Sequence, residues 1–109
     1  MTPGDNRPLS EQYRAIGDEW AAADAAAQLL EDLKSAFMAQ KQTELGDIPV
    51  NRAEQIVKAS PEWRDYIIKM NESRRLANMK KVQMEAKRME FSEWVNKEAV
   101  QRLEMRMTT

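Results

Sequence analysis

The stretch SPEWRDYIIKMNESRRLANMKKVQMEAKRMEFSEWVNKEAVQRLEMRMTT, running from Ser60 to Thr109, decides the fold. It contains no Gly, and its only Pro stands second. Ser60 suits an N-cap, because its hydroxyl accepts a hydrogen bond from a free first-turn amide, and Pro61 at the first helical position loses no needed donor. Nothing downstream stops a helix. The sequence therefore predicts one rod over residues 61–107, roughly 70 Å long at 1.5 Å per residue. One line along it repeats every seven residues, through Trp63, Met70, Ala77, Met84, Phe91, Glu98 and Met105, and only Glu98 breaks its apolar character. A helix with such a stripe lies along other helices.

Upstream of the rod, a first helix is predicted over residues 10–45, with Glu11 in its first turn. Its apolar positions alternate steps of three and four, through Tyr13, Ile16, Trp20, Ala23, Ala27, Leu30 and Phe37, with Lys34 the one interruption. The run WAAADAAAQLL combines high helix propensity with little bulk, which suits a close helix–helix crossing. Gly17 costs about 1 kcal/mol against Ala in such a position. Residues 46–50 read as a turn, with Gly46 just past the helix end and Pro49 unable to continue it. A short helix over residues 51–59 follows, with Asn51 as its expected N-cap and Glu54 three residues on, a variant of the capping box. Residues 1–8, with Pro3, Gly4 and Pro8, read as a flexible arm.

These elements predict a single all-α domain over residues 1–109, an antiparallel helical hairpin or coiled coil with a long C-terminal helix. The rod carries a second apolar line through Ile68, Met79, Val82, Ala86, Met89 and Val100, roughly opposite the first. A hairpin covers one such face, and the first helix is shorter than the rod. Both mismatches predict a homo-oligomer, a dimer or higher, with Trp63, Met70, Met84, Phe91, Trp94 and Val95 at an interface to a partner or to another copy.

Composition narrows the function. The formal net charge is −1, with no His and no Cys. Imidazole bases, thiol nucleophiles, disulfides and the common zinc sites are thereby excluded, and no glycine-rich phosphate loop is present. The chain reads as a non-enzyme with no cofactor and no metal. No secretory signal and no apolar run of about 20 residues is visible, so a cytoplasmic protein without a membrane partner is expected. Charge is unevenly spread. Residues 1–48 hold four bases and nine acids, whereas the remainder holds thirteen bases and nine acids. The excess concentrates in Arg74, Arg75, Lys80, Lys81, Lys87 and Arg88, three doublets interrupted only by the acid Glu85. Cations recurring along a rod suit the phosphates of single- or double-stranded DNA. They equally suit pairing with the acidic first helix, or stems lying along an apolar seam. Methionine is frequent on the rod, which fits an adaptable protein-binding face.

The C-terminal half resembles a group of small coiled-coil proteins of tailed bacteriophages. The resemblance rests on Ala-Glu-Gln-Ile-Val-Lys-Ala-Ser-Pro-Glu-Trp-Arg-Asp-Tyr at 53–66, on Leu76-Ala77-Asn78 followed by Lys80-Lys81, and on Glu85, Phe91 and Trp94. It continues through Glu98-Ala99-Val100-Gln101-Arg102-Leu103-Glu104-Met105. It covers residues 50–107, and the first helix matches in character alone. The resemblance implies an accessory role in phage DNA recombination or replication, in the host cytoplasm, with DNA or a DNA-processing protein as partner. The alternative is an adaptor or inhibitor that binds a host enzyme or defence system through the methionine-rich second face.

Overall fold

The computed structural model describes residues 6–108. All regular structure among them is helical: α1 spans Leu9–Glu44, α2 spans Val50–Lys58 and α3 spans Pro61–Thr108. The expected arm falls largely on residues 1–5, which lie outside the described residues. The molecule measures 86 × 25 × 16 Å, so its length is set by α3 and its width by helices lying side by side.

The start of α3 follows the sequence closely. Ser60 accepts a hydrogen bond from the Trp63 amide at 3.3 Å and donates its own hydroxyl to the Val57 carbonyl at 2.6 Å. One side chain therefore closes α2 and opens α3. Gly46 follows the end of α1 with φ of 82°, a left-handed conformation that L side chains rarely adopt. The start of α2 needs a correction. Asn51 is not its N-cap, because the helix already begins at Val50, with Pro49 before it and no side-chain cap. Proline's ring holds φ near the −53° seen here and ψ is 138°, so Pro49 makes the corner. Its carbonyl then accepts the Ala53 amide at 2.9 Å.

Successive contacts between α1 and α3 run in opposite senses along the two helices. Trp63 and Tyr66 stack on Phe37, with ring centroids 6.1 and 4.5 Å away. The Tyr66 hydroxyl donates to the Leu30 carbonyl at 2.5 Å. Further along α3, Arg74 meets Asp24 and Glu31, Lys80 meets Glu19, and Lys87 meets Gln12. The Lys34 interruption is explained by Trp63, since the ammonium sits 5.8 Å from the ring centroid, in reach of a cation–π contact.

The core is slight. Among the described residues its buried apolar members are Ala27, Ala53, Val57 and Ala77, and no large side chain is fully buried. Ala27 and Ala77 are both 0% exposed, as expected where small residues let helices approach. Past Trp94, α3 outruns the start of α1. From Ser92 to Thr108 every residue but Glu98 is exposed.

Candidate functional site

The six cations of the belt divide into two sets. Arg74, Lys80 and Lys87 turn toward α1. The Arg74 guanidinium donates from Nε and Nη2 to the two Glu31 carboxylate oxygens, at 3.0 and 2.5 Å, and from Nη1 to Asp24 at 2.6 Å. Arg presents its donors in a fixed planar fork that matches such an arrangement. The hydrogen bonds from Arg74 hold the Glu31 carboxyl below its ordinary range. Hydrogen bonds to Glu31 and then Asp24 push the guanidinium further up, so it stays charged at any pH of interest.

Lys80 donates to Glu19 at 2.9 Å. Lys87 is buried, and its Nζ donates to Gln12 Oε1 at 2.8 Å and to Glu90 at 3.0 Å. Gln12 in turn donates to the Arg7 carbonyl at 2.7 Å. The acidic first helix therefore engages Arg74 and Lys80, and Lys87 is held by an amide on α1 and a carboxylate on α3. Arg75, Lys81 and Arg88 are exposed, and the side chain of none of them makes an ion pair or hydrogen bond among the described residues. They are the cations of the belt that α1 does not engage.

Sequence reasoning missed the acidic partners. Asp24 and Glu31 stand seven residues apart on α1, which places them on one side of a helix, and that spacing was the available signal. Gln12 carried no signal, because a polar residue at the edge of an apolar series is ordinary.

The expected interface residues are also divided. Trp63, Met70, Met84 and Phe91 are half-buried, and Trp63 packs against α1. The Met84 sulfur lies 3.7 Å from where a Cβ on Gly17 would stand. Phe91 and Trp94 stack with centroids 6.0 Å apart, yet Trp94 and Val95 are exposed. Beside them a cleft of about 450 Å³ is lined by Arg7, Pro8, Leu9, Gln12, Phe91 and Trp94 among others. Glu90 is the one carboxylate in that lining, and it is bonded to Lys87.

Among the described residues, no group of three or more acidic, His or Cys side chains is placed to hold a metal ion. No helix among them is long and apolar enough to cross a membrane. Comparison with protein-family models, with curated proteins and with solved structures gives no match to this chain.

Proposed function

We propose that the chain is a non-enzymatic accessory protein of phage type, acting in DNA recombination or replication. In this reading it is an antiparallel helical hairpin that assembles with copies of itself. It binds DNA, or the polyanionic part of a DNA-processing complex, through the outward cations of α3. The observation that carries the reading is the exposure of Arg75, Lys81 and Arg88 without intramolecular partners. Charges already held by acidic side chains cannot release counterions from a phosphate backbone, whereas these three can. The reading is thus narrower than the full belt.

Titrating single- and double-stranded oligonucleotides at several salt concentrations tests it. Binding should fall linearly in log–log form with salt. Lys81→Glu with Arg88→Glu should weaken binding to every sequence alike and make the slope shallower by about 2 for duplex DNA. Lys80→Glu serves as the control, because its loss falls on the ion pair to Glu19 and so on stability. A parent that binds no oligonucleotide at low salt overturns the proposal.

A second reading has its own observation. Met79, Val82 and Met89 are 48%, 65% and 59% exposed on the outer side of α3, which suits an adaptor or inhibitor that binds another protein.

A further inference from the structure

The outer side of α3 carries an ordered pattern as well as exposed methionines. Arg75, Met79, Val82, Ala86, Met89 and Glu93 follow one another by alternating steps of four and three. That spacing forms a helical seam of coiled-coil type. All six are exposed, on the side of α3 away from α1. The same spacing continues outward through Glu72 to Ile68 and through Asn96 to Val100. Ile68 to Val100 covers about 50 Å at 1.5 Å per residue, with an apolar centre from Met79 to Met89, apolar ends at Ile68 and Val100, and polar or charged positions at 72, 75, 93 and 96 between them.

We propose that this stripe is the seam of a homodimer, in which α3 packs antiparallel against α3 of a second copy, with the two-fold axis crossing the seam at the level of residue 84 along the helix. In this register Val82 meets Ala86 of the second copy, Met79 meets its Met89, and Ile68 meets its Val100. Arg75 meets its Glu93, and Glu72 meets its Asn96. By symmetry each contact occurs twice. The apolar positions face apolar positions, and the cation at one end faces the anion at the other.

Neighbouring registers do not achieve this. A shift of one heptad in one direction sets Arg75 against Ala86 and Glu93 against Ile68. A shift in the other direction sets Arg75 against Val100 and Glu93 against Val82. A parallel seam would bring Arg75 onto Arg75 and Glu93 onto Glu93. Neither Arg75 nor Glu93 has an ion pair among the described residues of its own chain, so both are available across the seam.

Two further features fit the same occupant. The end of α3 that outruns α1 would lie along the first turns of the partner's α3. The chain also exposes 8593 Å², against about 6200 Å² for a compact monomer of its mass. An extended chain of this kind leaves surface along α3 that a second copy can cover. The dimer would carry Lys81 and Arg88 of both copies on one face, which leaves them for a polyanion while Arg75 is taken up in the seam.

The proposal rests on the self-assembly in the reading above and is independent of DNA binding. Sedimentation equilibrium of the full chain should report a dimer. Arg75→Glu and Glu93→Arg should each raise the dissociation constant about tenfold, since two opposite-charge pairs are replaced by two like-charge pairs. The variant carrying both substitutions should return to within about twofold of the parent, because the pairs reform with exchanged signs.

The chain has no Cys, so designed pairs can be read without background. Val82→Cys with Ala86→Cys should form a covalent dimer under mild oxidation, and Met79→Cys alone should not. This readout decides the matter where a charge variant fails to fold. A monomeric parent overturns the seam and the assembly reading together. A dimer that ignores the charge exchange overturns the seam alone. Efficient crosslinking of Met79→Cys to itself shows a parallel seam, and also overturns it.

Discussion

Arg74 joins α3 to two acidic side chains of α1 that lie seven residues apart. Removing it would leave Asp24 and Glu31 close together without their counter-charge. The lowered Glu31 carboxyl makes this junction sensitive to acid. Above the ordinary glutamate value near 4.5, Glu31 is ionised in folded and unfolded chains alike, and the full contribution of the junction is present. As pH falls below that value the unfolded chain takes up a proton first, so stability drops until the folded carboxyl is protonated too. Glu31→Gln should flatten this part of the acid limb in a thermal-denaturation series, relative to the parent. Gly17 makes a contrasting case. A Cβ there would meet Met84 at 3.7 Å, an ordinary contact, so Gly17→Ala should stabilise the chain by about 0.5–1 kcal/mol. Differential scanning calorimetry should show the midpoint rising by about 4 °C. At this scale the sequence was least informative. The six cations were legible as a belt, but which of them face α1 depended on how α3 is rotated, and that becomes visible only with both helices placed.

The three helices were far more legible than their contacts. Ser60, Pro61 and the long span without Gly or Pro marked α3 from end to end, and Gly46 marked the close of α1. The start of α2 was misread because Asn51 offers a good capping side chain, while Pro49 shapes the backbone through its ring and leaves no polar signature. Gly46→Ala should cost about 1 kcal/mol through backbone strain at φ of 82°, although nothing lies within 4 Å of the added methyl. Chemical denaturation would measure it as a lower midpoint with an unchanged slope. The end of α3 allows a sharper test. Residues 96–108 lie beyond the start of α1, so removing residues 96–109 should leave the α1–α3 contacts and their cooperative unfolding in place. In the proposed dimer the same truncation removes the contact between Val100 and Ile68, and the dissociation constant should rise at least tenfold. Circular dichroism and sedimentation of the truncated chain read the two effects separately.

The whole molecule is longer and thinner than its length requires. Its radius of gyration is 23.7 Å, whereas a compact domain of this many residues has about 13 Å. A chain so extended buries little apolar surface. Among the described residues only Ala27, Ala53, Val57 and Ala77 are buried apolar ones, and with the Phe37–Trp63–Tyr66 stack and the polar bridges between α1 and α3 they give one copy a slender basis for independent folding. The two apolar lines of the rod are the sequence signal behind the proposed assembly, because one covering helix cannot serve both. Its register has no such signal, since it depends on which stripe α1 leaves open. In the proposed assembly α3 has two working faces, one for α1 and one for a second copy. Light scattering of the full chain at micromolar concentration measures this. Two working faces predict a mass of at least twice 12.6 kDa, and a folded particle of 12.6 kDa that unfolds cooperatively would contradict them.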